Sequence, residues 1–313
     1  MDIVIMDQIE KNHETINFYR YEDKEMQRKN GEHRISVRDI GLTESDKCEI
    51  ERLLNISPHN PPQLEDIWIL MDEVWDLCGC DNRKLDWKNV RKFYSHPVWL
   101  LNGLFIEQHE LSIEHRSAIS DWITTKPFIR KILDYGGGFG TLARLIADKS
   151  DSFSVDIYEP HPFDYSRQKI SIYPQIQFIN KITGKYDLLV STDVLEHVPD
   201  PLKTFEEMIL SVKNDGYLII ANNFFPIIKC HLPQTFHLRY TFNLFAKLMG
   251  LLVVAPLEKG HANIFRKNGN KSVNWRAVRM LEKLSKGLFP FIQFFEPILK
   301  PIYKFMTHGY SQR

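Results

Sequence analysis

The stretch KILDYGGGFGTLARLIA, Lys131 to Ala147, decides how this chain is read. Ile132 and Leu133 open a short buried strand, three spaced glycines follow, and Leu142 to Ala147 read as an amphipathic helix. Gly136, Gly138 and Gly140 permit a tight turn and a close approach of backbone to ligand, because no Cβ stands in the way. The N–H groups that open the next helix face the same ligand. At the carboxyl end of a first parallel strand, such a loop binds a nucleotide-like cofactor. The spacing is G-x-G-x-G, with Thr141 where the dinucleotide fingerprint has its third glycine.

Three further segments follow in order. Ser152 to Pro160 alternates Phe153, Val155 and Ile157 as a strand does and ends at Glu159, nineteen residues after Gly140. A carboxylate there can accept two hydrogen bonds from a ribose diol; Asp156 is its competitor but lies mid-strand. Lys185 to Pro201, KYDLLVSTDVLEHVPDP, contains a strand ending at Thr192 or Asp193. Asn214 to Asn223 supplies a turn and another apolar strand.

Together these segments resemble class I S-adenosylmethionine-dependent methyltransferases. LDYGGGFGTLARLIA is similar to the family's glycine motif, VDIYEP to its acidic ribose strand, YDLLVSTDVLEHVPDP to its fourth-strand motif and NDGYLIIANN to its fifth-strand turn. The resemblance covers roughly residues 128–266, and DVLEHVPDP is nearest the branch containing ubiquinone-biosynthesis O-methyltransferases. It implies an α/β fold, a doubly wound, mostly parallel seven-stranded sheet, and S-adenosylmethionine as cofactor. It sets Asp134, Gly136, Gly138 and Gly140 near the methionine part, Glu159 on the ribose and Ile182 beside adenine, and it makes Asp193, at the end of the fourth strand, a further cofactor-binding residue. It also implies an antiparallel edge formed by Leu251–Ala255 and Asn263–Arg266.

Forty basic and forty acidic residues cancel, which gives no support to general nucleic-acid binding. The acidic N-terminus is no secretory signal, and no apolar run of about eighteen residues predicts a spanning helix. Four cysteines without a C-x-x-C pair read as buried thiols in a reducing, cytoplasmic compartment.

Four regions are expected. Residues 1–42 are polar and form a mobile or extended arm. Residues 43–127 are all-helical, with starts at Thr43 and Asp86 and one apolar face on Leu64, Ile67, Trp68, Met71, Val74 and Trp75. A long helix from Pro97 is expected to break at Asn102-Gly103. This region reads as a lid over the cofactor, or as scaffold or dimer contact. Residues 128–268 form the cofactor-binding domain. Residues 269–313 are basic and aromatic, with eight Lys/Arg from residue 271 onward against Glu282 and Glu296. Pro290, Pro297 and Pro301 are expected to divide them into short pieces, which meet a membrane surface peripherally, a second copy in a homodimer, or the chain's own core.

Methyl transfer from a sulfonium needs an acceptor lone pair held in line, water kept out and, for a hydroxyl, a base. Asp193, Glu196 and His197 stand at i, i+3, i+4. His197 is the first candidate base, with His231 and His237 as rivals. No resident metal is expected. The alternative is a hard divalent ion on Asp193, Glu196 and His197, with His231 or His237 as fourth ligand, as the Glu-x-x-Glu-His arrangement of small-RNA 2′-O-methyltransferases implies. The expected activity is O-methylation of a hydroxyl on a small metabolite or on a glycan- or lipid-linked precursor. Its rivals are N- or C-methylation, and cofactor binding without turnover in a regulatory protein.

Overall fold

The structure, a computed structural model, describes residues 42–308, with side chains described through residue 295. The arm expected over residues 1–42 falls, apart from its last residue, outside the described residues.

Seven strands form one sheet in the order β3-β2-β1-β4-β5-β7-β6. They are β1 Lys131–Tyr135, β2 Ser154–Tyr158, β3 Ile176–Ile179, β4 Tyr186–Thr192, β5 Val212–Ala221, β6 Leu251–Pro256 and β7 Ala262–Lys267. The first five are parallel, and β7 runs antiparallel between β5 and β6. This is the doubly wound, mostly parallel seven-stranded sheet expected. The middles of strands β1 and β4 are buried without alternation because helices cover both sheet faces. The chain winds from β1 to β2 on one side and to β4 on the other. The carboxyl ends of these strands therefore part at a topological switch point, where open α/β sheets bind ligands.

Five helices precede the sheet: α1 Glu44–Ile56, α2 Leu64–Leu77, α3 Trp87–Tyr94, α4 Val98–Gln108 and α5 Glu110–Thr124. Their starts follow local chemistry. Thr43 Oγ1 accepts the Asp46 N–H at 3.1 Å and Asp86 accepts the Lys88 N–H at 2.9 Å. Ile67, Leu70, Met71, Val74 and Trp75 of α2 are buried. They join a core that also takes Phe139 and Tyr165 from the sheet domain and Cys230 from the loop after β5. The helical segment therefore shares one hydrophobic core with the residues around the glycine loop.

The remaining helices are α6 Thr141–Ala147, α7 Asp164–Ile170, α8 Pro201–Ser211, α9 Leu238–Leu248 and α10 Trp275–His308. Two helices differ from expectation. Helix α4 runs unbroken through Asn102-Gly103, and the chain breaks at His109 instead. A Cβ on Gly103 would lie 2.5 Å from the Phe139 ring, so this glycine serves close packing, not helix termination. Helix α10 runs unbroken through Pro290, Pro297 and Pro301. Each proline costs one backbone hydrogen bond, and the helix continues despite that loss.

Candidate active site

The glycine loop carries three left-handed residues, Gly136, Gly138 and Gly140, with φ of 75°, 51° and 69°. A Cβ on Gly136 would meet Val194 Cγ2 at 2.4 Å, so close approach as well as φ demands glycine there. The Gly138 N–H donates to Glu159 Oε2 at 3.1 Å, and the His161 N–H donates to Glu159 Oε1 at 2.9 Å. These bonds hold the carboxylate at the end of β2, beside the loop. Asp156 is committed elsewhere: it accepts from Tyr186 Oη and Gln177 Nε2, both at 2.7 Å.

Asp134 sits at the end of β1 and is almost wholly buried, and its Oδ2 has no hydrogen-bond partner. Burial pushes its carboxyl up to about 7, against the pull of Arg116. Arg116, from α5, feels the charges of both Asp134 and Asp193. An orphaned carboxylate oxygen beside a guanidinium suits the ammonium and carboxylate of an amino-acid-like ligand end.

These groups open into one cavity of about 590 Å³. Its floor is Asp134, Gly136 to Phe139, Glu159, Thr192 and Asp193, and its far walls are Leu64, Trp68, Met71, Trp87, Tyr94 and Trp99 from the N-terminal helices. The Tyr94 ring stacks on Trp99 at 5.2 Å and lies parallel to His161 at 6.0 Å. Tyr94 and Trp99 belong to one aromatic group, because Phe93 packs edge-on against Trp75, Tyr94 and Trp99.

Two histidine groups border the cavity. In the first, His197 Nδ1 lies 3.2 Å from the Cys230 carbonyl and His231 Nδ1 lies 2.6 Å from the Phe225 carbonyl. A carbonyl only accepts, so both rings carry their proton on Nδ1 and, when neutral, leave Nε2 unprotonated. Burial pulls His197 down to about 3, and His231 is lowered by the same cause. Both are therefore neutral in ordinary conditions. Glu196 lies beside them; the Asn223 N–H donates to its Oε1 at 2.6 Å and its Oε2 is orphaned. Glu196, His197 and His231 offer ligand atoms within 4.8 Å of one another, a set suited to a divalent ion.

The second group is Asp193, His261 and His115. Asp193 has φ of 54°, and its Oδ1 lies 3.3 Å from His261 Nε2. His261 Nδ1 lies 3.2 Å from His115 Nδ1. The Asp193 side chain is 44% exposed because it opens into the recess. Burial works to raise its pKa, but His261 overrides that and holds it down at about 2. Burial likewise opposes protonation of His261, yet Asp193 raises it above the ordinary imidazole range.

Of the residues singled out in the sequence, Asp134, Gly136, Gly138, Glu159, Asp193, His197 and His231 line this cavity. Gly140 instead opens α6. Ile182 packs with Tyr135, Tyr158 and Ile179 against the core. His237 is buried away from the cavity, its Nδ1 2.8 Å from Ser285 Oγ of α10. The ligand set Asp193, Glu196, His197 does not assemble. The left-handed backbone at Asp193 turns its side chain to His261, and His231 takes its place beside Glu196 and His197. Arg116, His115, His261 and Tyr94 were not legible as site residues. Each lies in an ordinary helix or turn and meets the loop only through tertiary packing.

A family profile described as a methyltransferase domain matches residues 106–236. The ubiquinone biosynthesis O-methyltransferase of Coxiella burnetii is 26% identical over 182 residues, covering 53% of this chain and 74% of that protein. Its namesake in Haemophilus ducreyi is 26% identical over 155 residues, covering 44% and 64%. This chain carries a methyltransferase domain. Among solved structures, the methyltransferase is similar to an O-methyltransferase family protein from Burkholderia thailandensis, with 13% identity, 72% of each chain covered and a TM-score of 0.47. The orphaned Asp134 oxygen and the glycine cradle fit S-adenosylmethionine.

Proposed function

We propose that this methyltransferase methylates a hydroxyl on a small, largely apolar acceptor, or on the reactive end of a lipid- or glycan-linked precursor. The observation that carries the reading is the shared cavity. The glycine loop forms one end, aromatic side chains of the N-terminal helices form the other, and two neutral imidazoles stand on its wall. On this reading Asp134 and Arg116 receive the methionine ammonium and carboxylate, Glu159 receives the ribose diol, and the loop N–H groups complete the cradle. The bound cofactor supplies an electrophilic methyl on a sulfonium.

The chain supplies position and proton acceptance. Trp68, Trp87, Tyr94 and Trp99 present flat apolar surface that would hold the acceptor and exclude water. The Nε2 of His197 or His231 would accept the hydroxyl proton as the oxygen–methyl bond forms and the sulfur–methyl bond breaks, leaving S-adenosylhomocysteine as the second product. An imidazole held down at about 3 is a weak base in the free site. Its first task is therefore to align the hydroxyl, and the proton moves late, once the oxygen has lost electron density. The relatives, ubiquinone biosynthesis O-methyltransferases, support oxygen as the acceptor atom.

The test is transfer from labelled S-adenosylmethionine into extracts of the source cell, with mass identification of the product. A methyl ether on an apolar molecule, or on the end of a lipid- or glycan-linked precursor, is expected. His197→Gln should lower turnover by about 10²-fold or more with cofactor affinity unchanged. A product methylated on nitrogen or carbon would overturn the oxygen assignment.

A further inference from the structure

Helix α10 is apolar on two opposite faces. One face turns inward: Val278 is buried, and Ser285 bonds His237 and Thr241 of the α9 region. The other face turns to solvent. Met280, Phe291 and Phe294 are each 66% exposed, and Leu284, Leu288 and Phe295 are exposed with them. At about 100° per residue these six fall within an arc of about 120°. Neighbouring α9 adds its own exposed row, Tyr240, Leu244 and Leu248.

Cations line one flank of this stripe. On the same helical projection Arg279, Lys283 and Lys286 lie to one side of it, and Arg276 stands at its edge on that side. The one acid between residues 275 and 295 is Glu282, which is buried on the inward face and paired with Arg279 at 2.6 Å and Lys286 at 2.7 Å. Lys300 and Lys304 continue the basic series in sequence. No helix among the described residues is long and apolar enough to cross a membrane.

We infer that the outer face of α10 seats this methyltransferase on an anionic lipid surface, with the helix in the plane of the interface. The phenylalanines and leucines enter the acyl boundary, while the lysine and arginine stems reach back to phosphate headgroups. Charge selects this occupant over a second copy of the chain. Antiparallel two-fold pairing along α10 would set one basic flank against the other, whereas an anionic surface neutralises it. The inference is independent of which acceptor atom is methylated.

The experiment is co-sedimentation of the full chain with vesicles of phosphatidylcholine alone or of phosphatidylcholine with phosphatidylglycerol, at low and high salt. Partition into the anionic vesicles is expected, weakening as salt rises. The double variants Phe291→Ser/Phe294→Ser and Arg276→Glu/Lys283→Glu should each lower it by about tenfold or more. Calorimetric affinity for S-adenosylhomocysteine should stay at the wild-type value, which reports an intact fold. Three results would overturn the inference: no partition into either vesicle, partition unchanged in both variants, or a solution dimer that the phenylalanine variant disperses.

Discussion

Asp134 makes the fold's stability depend on pH. The folded chain holds a proton on this carboxyl up to about 7, while an unfolded one releases it near 3.8. Between those values the folded state binds the extra proton, so this contribution to stability is present at low pH and lost as pH rises toward 7. The buried histidines act in the opposite sense. His115 is held down at about 4 and His197 at about 3, chiefly by burial. The unfolded chain takes up their protons first as pH falls below about 6.5, so acid destabilises. Asp134→Asn isolates the carboxyl. The cofactor-free variant should gain stability over wild type as pH rises from 5 to 8, read by denaturant midpoints. It should also lose cofactor affinity by about 1–3 kcal/mol, because the ligand's ammonium loses its charged partner. A wild-type affinity in Asp134→Asn would remove this residue from the cradle.

At the scale of elements, the decisive contact joins α4 to the glycine loop. Phe139 lies against Gly103 so closely that a Cβ there would stand 2.5 Å from its ring. Glu107 of the same helix pairs with Arg144 of α6 and lies 3.3 Å from Thr141 Oγ1. Helix α4 thus braces the loop and the helix that follows it. Gly103→Ala should displace Phe139 and cost about 1–3 kcal/mol through overpacking. Because Phe139 belongs to the loop, cofactor affinity should fall together with the thermal midpoint. A Gly103→Ala protein that loses stability but binds S-adenosylhomocysteine normally would show that the brace does not reach the loop.

For the whole molecule, the shared core means that the N-terminal helices and the sheet should unfold together. Lys229, in the loop after β5, donates its N–H to Asp72 of α2 at 2.6 Å, and Asn82 Nδ2 donates to the Lys229 carbonyl at 3.0 Å. Calorimetry on the full chain should show one main transition for these parts, raised by S-adenosylhomocysteine. Trp75→Ala, which empties the middle of the helical core, should lower that transition by about 3–5 kcal/mol without splitting it. Two separable transitions, with Trp75→Ala moving only one, would mean that the helices fold as an independent cap.

Local chemistry in the chain was enough to specify the glycine loop, the strand ends at Asp134 and Glu159, and the helix starts at Thr43 and Asp86. Each of these rests on neighbours within a few residues, where periodicity, capping and positive φ act. The pairing of Asp193 with His261, the arrival of Arg116 and Tyr94 at the cavity, the retreat of His237 to α10 and the continuity of α4 through Gly103 were decided by tertiary packing. In each case the partner lies on another element, tens of residues away for most, and no local pattern encodes that distance.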